Sequence, residues 1–330
     1  MNLKDKSILF FSPQFFNYEK EIKKKLEELG AIVLWFDDRP SNNFISKALI
    51  RINKNFIKNK IANYYKAILG QLKSNKKQFD YVFFLNPEAI SVNSLKEFKS
   101  EFYNAKFVLY MWDSFKNRKN TIDLLPVFDS KFTFDPQDAK KFNLRLRPLF
   151  YIDIYNARQI EALKYDLLFI GTAHTDRYRF VSKIVTQLPK QLKVKLYFFL
   201  SSKPLFWAKK IFDKEFKKVR YRSISFIPLT HKSNSELIHV SKIILDINHP
   251  KQVGLTMRTF EALGAQKKLI TTNPDVANYD FYDKNNILII DRSNPVISDE
   301  FLTASNTLLD NKILLKYSIK GWISELFNLS

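Results

Sequence analysis

The sequence predicts an α/β protein of two doubly wound, Rossmann-like domains facing a central cleft, and three observations lead there. Short apolar runs alternate with amphipathic stretches of helical period. The runs are apolar on both faces, as strands of a parallel sheet covered on two sides must be. The alternation also breaks off and restarts near the middle of the chain. At 330 residues, 45% hydrophobic and 15% aromatic, the chain has material for two buried cores, which excludes disorder as its main state.

Taken in order, residues 7–11 read as a strand, 18–29 as a charged helix stopped by Gly30, and 32–36 as a strand ending in Asp37 and Asp38. Strands at 81–85 and 107–111 flank a helix at 94–102, and short runs at 132–134 and 147–150 close a first domain over 1–160. The second domain, 161–330, opens with a strand at 166–170 that breaks at Gly171. A helix at 177–188 and strands at 194–200 and 224–227 follow. Next come a helix at 233–240, a strand at 243–247, a helix at 257–263 and strands at 269–271 and 287–290. Terminal helices are expected about 302–309 and 317–327.

Lys4 and Lys6 ahead of the apolar run 7–16 imitate a signal peptide, but Pro13 and the lack of a small-residue cleavage site favour a buried first strand. No run approaches the roughly 18 apolar residues of a spanning helix, so the expected location is the cytoplasm, either soluble or attached peripherally at the inner face of the plasma membrane. Zero cysteines exclude disulfides, zinc-thiolate sites, iron–sulfur clusters and cysteine nucleophiles. Four scattered histidines leave little for a histidine metal site; His231 and His239 read as structural. Asp37 and Asp38 lack a third ligand for Mg²⁺ and read as surface turn residues.

Lys and Arg number 54 against 33 Asp and Glu, a net charge of +21, which favours a polyanionic partner but also fits a Lys-rich coding bias. The asymmetry is strongest over 39–79, where ten cations face no acid. There Ile45, Leu49, Ile52, Phe56, Ile61, Tyr64, Ile68 and Leu72 recur at helical spacing. This basic helical insertion is either a core-packing helix with a solvated back or a surface for anionic lipid headgroups or a lipid-diphosphate acceptor, where each cation near an anionic membrane contributes about 1 kcal/mol. A second stretch, 203–222, sets Phe206, Trp207, Ile211 and Phe216 among eight cations and two acids, a pattern shared by interfacial helices and ordinary domain-boundary helices.

The most informative segment is 246–273. A strand delivers a polar loop with Asn248 and His249, then Gly254, then a helix from Thr256 carrying Arg258 and Glu261, then a strand ending in Thr271, Thr272 and Asn273. Gly254 lets backbone approach a ligand, and the helix N-terminus offers free amides and a positive dipole to a diphosphate. Arg258 would face phosphate, while Glu261 would accept from two ribose hydroxyls and be replaceable with little effect on stability. Gly171 opens a second strand-to-helix loop in which His174, Arg177 and Arg179 would compensate the charge of a leaving diphosphate. A nucleotide-sugar donor site is the coherent reading, with no metal and no cofactor beyond the donor.

At these residues the sequence resembles the carboxyl-terminal domain of GT-B glycosyltransferases. Gly254-Leu-Thr-Met-Arg258-Thr-Phe-Glu261-Ala-Leu-Gly264 and Leu269-Ile-Thr-Thr-Asn273 resemble, more narrowly, the CgeB-like and lipopolysaccharide-biosynthesis group. Phe169-Ile-Gly171-Thr, Tyr110-Met-Trp-Asp113-Ser and Phe134-Asp135-Pro-Gln-Asp138 are consistent with the same group. The resemblance implies transfer of a sugar from a nucleotide-sugar to a glycan or lipid-linked glycan acceptor of a bacterial surface polysaccharide. Many retaining members carry two glutamates eight positions apart; eight before Glu261 stands Val253, so that arrangement is absent. An inverting transfer would need a base on the acceptor side. Asp113 at a strand end is the first candidate, with Asp135 and Glu88 as rivals, while the alternative for Asp113 is a helix cap.

Two other classes compete. The charge and interleaved aromatics fit a nucleic-acid-binding protein, but no motif of that class is present, so no nucleic-acid partner is expected. A sugar-nucleotide epimerase shares the architecture but would want more acid–base groups around the second-domain loop than Arg258, Glu261 and His249.

Overall fold

The computed structural model describes residues 2–43, 50, 54–158, 162–173, 176–214, 216–250 and 252–329. The chain divides into two units, Met1–Pro148 together with Ile319–Ser330, and Leu149–Ser318. The boundary therefore falls after Pro148 rather than at 160, and the chain returns to the first unit for its last helix.

The first unit contains β1 (Ser7–Ser12), α1 (Tyr18–Glu28), β2 (Ile32–Asp37), α2 (Lys58–Ser74), β3 (Tyr81–Leu85) and α3 (Val92–Glu101). It continues through β4 (Lys106–Met111), β5 (Ser130–Thr133), α4 (Pro136–Phe142) and β6 (Arg145–Leu146). All strands are parallel, in the order β2-β1-β3-β4-β5-β6, so the winding reverses between β1 and β3. α1 stops where Gly30 takes φ 97°, a conformation that side chains resist, and Ala31 N–H then bonds back to Leu26 O at 3.1 Å. Aromatic rings fill the core: Phe10 stacks on Phe83 at 5.0 Å, and Phe11 stacks on Phe84 at 4.6 Å and meets Phe98 edge-on at 5.5 Å.

The expected basic insertion is the crossover from β2 to β3. α2 turns Ile61, Tyr65, Ile68, Leu69 and Leu72 into the same core as Phe11 and Phe84. The Tyr64 hydroxyl donates to Asp37 O and the Tyr65 hydroxyl to Asp38 O, both at 2.7 Å, tethering the helix to the end of β2. Phe56 departs from the expected apolar face and is 74% exposed, because Lys54–Ile57 is a 3₁₀ turn and the 3.6-residue period begins only at Lys58. Ile45, Leu49 and Ile52 lie outside the described residues.

The second unit contains β7 (Tyr165–Thr172), α5 (Arg177–Gln187), β8 (Val194–Phe199), α6 (Lys203–Phe212), β9 (Ile224–Ser225) and α7 (His231–His239). β10 (Ser241–Asp246), α8 (Met257–Gly264), β11 (Lys268–Thr271), β12 (Ile287–Ile289), α9 (Asp299–Thr303) and α10 (Asn311–Tyr317) follow. The parallel order β12-β11-β10-β7-β8-β9 is the dinucleotide-fold order, with its switch point between β7 and β10.

Three expectations need correction. Residues 147–150 are not a strand: Arg147 N–H makes a last bond to Thr133 O at 2.9 Å, and Pro148 has no N–H to continue. The expected helix at 302–309 ends at Thr303, because the backbone beyond it bonds to side chains, Thr307 N–H to Asn286 Oδ1 and Leu309 N–H to Gln266 Oε1. The expected helix at 317–327 breaks at Ser318, which bridges to Tyr151, and α11 (Ile319–Leu326) joins the first unit. There Trp322 meets Tyr110 edge-on at 4.8 Å, and Glu325 pairs with the buried Arg147 at 2.9 Å.

A Cβ on Gly264 would come 2.5 Å from the ring of Tyr151, which is held by its hydroxyl bond to Leu314 O. We expect Gly264→Ala to lower the urea unfolding free energy by about 1–3 kcal/mol despite the better helix propensity of alanine. Unchanged or higher stability would show that the ring steps aside.

Candidate functional site

The strongest cluster lies in the second unit at the carboxyl ends of β7, β10, β11 and β12, beside the switch point. Asp246, the last residue of β10, is 5% exposed, and its Oδ2 accepts from Thr256 Oγ1 at 2.7 Å and Thr259 Oγ1 at 2.8 Å. Burial pushes its carboxyl above the ordinary range, against the pull of the two threonine hydroxyls. Thr256 occupies the N-cap position of α8, yet its hydroxyl is committed to Asp246, so no side chain caps the helix. The Thr259 amide turns back to Thr256 O at 3.2 Å, and the positive end of the dipole is left without a side-chain cap, a setting that suits an anion.

Two arginines flank this helix start. Arg177, at the start of α5, donates from Nη1 to Thr172 Oγ1 at 2.9 Å, while its buried Nε has no hydrogen-bond partner among the described residues. Burial pushes its guanidinium down, with Asp246 opposing. Arg292, just past β12, pairs with Asp176 at 2.8 Å and donates to the main-chain oxygen of Asn248. The loop between β10 and α8 is braced from within. Asn248 accepts from Thr272 Oγ1 at 2.7 Å, Gln252 Nε2 donates to Gly254 O at 2.9 Å, and Asn273 Nδ2 donates to Val253 O at 2.8 Å. Asn273 and Asn248 thus position the loop. β7 does not break at Gly171 but runs on to Thr172, and a Cβ added at Gly171 would come 2.7 Å from the Phe169 ring.

Arg258 and Glu261 form a second cluster one turn into α8. Arg258 does not stand apart as a free phosphate ligand: its Nη1 pairs with Glu261 Oε2 at 2.5 Å and donates to Asn234 Oδ1 at 2.9 Å. Asn234 Nδ2 in turn donates to Glu261 Oε2 at 3.3 Å and to the Tyr155 hydroxyl at 2.7 Å, which also touches His231 Nδ1 at 3.3 Å. Burial, with the Glu261 charge next, pushes the Tyr155 hydroxyl well above its ordinary range. His231 is therefore part of this network, whereas His239 is buried between Ser235 and Asn156 as a structural residue. His174 lies outside the described residues, and Arg179 is exposed.

In the first unit, Asp113 follows β4 and acts as a turn cap. Its Oδ1 accepts from Ser114 N–H at 3.0 Å and Asn117 Nδ2 at 2.9 Å, and its Oδ2 pairs with Arg118 at 3.1 Å. Asp135 caps α4, accepting from Gln137 and Asp138 N–H, and is 5% exposed. Glu88 is buried, paired with Arg118 at 2.8 Å. Asp38 is not a surface turn residue: it is fully buried, accepting from Glu88 N–H at 2.6 Å, Ala89 N–H and Tyr65. Among the described residues no three His, Asp or Glu side chains gather to hold a metal, and no helix is long and apolar enough to cross a membrane.

Asp246, Arg292, Asn234 and Tyr155 were not singled out by the sequence reading. A polar residue just past an apolar run marks Asp246 and Arg292; nothing local marks Tyr155, which reaches the network from 76 positions before His231.

The buried pairing of Glu261 changes what its removal should do. Glu261→Ala removes the carboxylate that pairs with Arg258 and accepts from Asn234, so we expect a stability loss of order 3 kcal/mol in urea titration, with Glu261→Gln milder. A melting curve superimposable on wild type would show that the network does not support the fold.

No family model matches the chain, and no curated protein matches it. Solved structures do resemble it. HepE of Anabaena in complex with UDP-glucose aligns with a TM-score of 0.61 at 11% identity, covering 98% of this chain and 98% of that one. A glycosyltransferase of Rickettsia africae aligns at 0.52 and 14% identity, over 98% and 94% of the two chains. The UDP-GlcNAc 2-epimerase of Methanocaldococcus jannaschii aligns at 0.50 and 11%, over 98% and 99%. Likeness at such identities is one of fold, and the two six-stranded parallel sheets are the two Rossmann-like domains of the GT-B fold.

Proposed function

We propose that the chain is a glycosyltransferase that takes a sugar from a nucleotide-sugar donor to a glycan or lipid-linked glycan acceptor of a bacterial surface polysaccharide, in the CgeB-like and lipopolysaccharide-biosynthesis group. The observation that carries the donor half is the uncapped N-terminus of α8 at the switch point, set between Arg177 and Arg292. Amides, dipole and two guanidinium groups together suit a nucleoside diphosphate, and a structure of this fold was solved with UDP-glucose. Glu261, with Asn234 and Arg258 around it, remains the candidate for the ribose.

The chemistry follows from charge. As the bond from the anomeric carbon to the diphosphate oxygen breaks, the electron pair stays on the diphosphate, and Arg177 and Arg292 offset that charge. Val253 stands where many retaining enzymes carry a glutamate, which favours direct displacement by an acceptor hydroxyl that loses its proton to a carboxylate. Asp113 is assigned that role because, although both carboxylates cap turns, the Asp113 side chain is 29% exposed whereas Asp135 is buried.

The test is calorimetry with UDP and UDP-sugars, followed by assay of free UDP with and without surface-glycan acceptors. Arg292→Ala and Arg177→Ala should each weaken donor affinity by about tenfold or more, the size of a lost charged hydrogen bond. Affinity unchanged in both variants would remove the diphosphate assignment. An epimerised sugar-nucleotide without transfer would instead favour the epimerase reading, which shares this fold.

Asp113→Asn should leave donor affinity intact and slow transfer by about 10²-fold to 10⁴-fold at saturating substrates. A rate within about threefold of wild type would exclude Asp113 as the base.

A further inference from the structure

Helix α6 is amphipathic the wrong way round. Pro204, Trp207, Ala208, Ile211 and Phe212 fall at i, i+3, i+4, i+7 and i+8, the stripe by which a helix normally packs on its domain, and all five are exposed. Trp207 is 57%, Ile211 66% and Phe212 85% exposed, while Phe206 alone on the helix is fully buried, against Phe216, Tyr221 and Phe226. The helix is fixed in this orientation: Ser202 caps it by accepting from Leu205 N–H, and Lys210 bonds the main-chain oxygen of Lys217. Tyr221, at the rim, stacks on Trp207 at 6.1 Å.

The surroundings are cationic. Lys203, Lys214, Lys217, Lys218, Arg220 and Arg222 are all exposed around the stripe, and Asp213, the acid of this stretch among the described residues, is paired with Lys209 at 3.4 Å. α2, the other basic helix, lacks this combination, because its apolar face is spent on the core of the first unit.

We infer that α6 and residues 216–222 form a membrane-docking surface, in which Trp207, Ile211 and Phe212 enter the interface of an anionic bilayer and the surrounding Lys and Arg meet its phosphate headgroups. An apolar stripe ringed by cations suits a surface that is apolar within and negative at its edge, and a helix lying in the interface plane buries such a stripe without spanning. A nucleic acid would meet the charge but leave Ile211 and Phe212 unused, and a protein partner would not call for six cations of one sign. The inference is independent of the donor assignment.

The experiment is flotation of the full chain with vesicles of phosphatidylglycerol and phosphatidylcholine in equal parts, beside vesicles of phosphatidylcholine alone. We expect binding to the anionic vesicles at ~0.1 M salt and quenching of tryptophan emission by brominated acyl chains that Trp207→Phe reduces. Trp207→Ser with Ile211→Ser and Phe212→Ser, all exposed positions, should lower partitioning at least about tenfold. Lys217→Glu with Lys218→Glu and Arg222→Glu should do so by roughly a hundredfold, since each cation near an anionic surface is worth about fivefold. Lys58→Glu with Lys60→Glu on α2 is the control and should bind nearly as wild type does. The inference is overturned by absence of binding to anionic vesicles at low salt, by binding that survives the apolar triple substitution, or by equal losses in the α2 control. A dimer in light scattering that the apolar substitutions dissolve, without vesicle binding, would likewise overturn it and assign the stripe to self-association.

Discussion

The second unit turns on one carboxylate. Asp246 closes β10 and takes both Thr256 and Thr259 hydroxyls, which fixes where α8 begins and points its uncapped end past the strand edge. With the hydroxyl of its capping residue drawn elsewhere, the helix starts without a side-chain cap, and its Thr259 amide turns back to Thr256 O instead. The loop before α8, the asparagine clamps at Asn248 and Asn273, and the approach of Arg292 all presuppose that fixed start.

The first unit relies on a comparable device for a different end. Asp38, buried just past β2, receives two amides from the loop after β3 and the hydroxyl of Tyr65 from α2. Burial raises its pKa, and those donors offset part of that penalty. The basic crossover helix is thereby tied to the strand ends as well as to the core, so its cations are the solvated back of a packing helix.

Strands that are apolar on both faces were legible in the sequence because a covered parallel sheet admits little else, and 81–85 was read to the residue. The donor loop was legible for a related reason: glycine, a polar loop and an Arg–Glu pair on one helix are local features. What escaped was long-range. The crossover helix looked like an insertion because nothing in 39–79 announces that β1 lies between β2 and β3. Arg258 looked like a phosphate ligand because Asn234 and Tyr155, which hold it to Glu261, arrive from distant parts of the chain. Asp113 and Asp135 carry the same ambiguity, since a carboxylate at a strand end is as apt to cap a turn as to take a proton, and both are observed capping.

The return of α11 to the first unit has a consequence for biosynthesis. Leu149–Ser318 is a contiguous stretch and can close its sheet as soon as that stretch has left the ribosome. The first unit cannot: the faces of Phe83 and Tyr110 that Trp322 and Phe327 cover, and the guanidinium of Arg147 that Glu325 neutralises, wait until the whole second unit has been synthesised. The part of the chain made first is thus completed last, and in the interval it carries an uncovered aromatic surface and a charge without its counter-ion, the circumstances in which nascent chains depend most on chaperones.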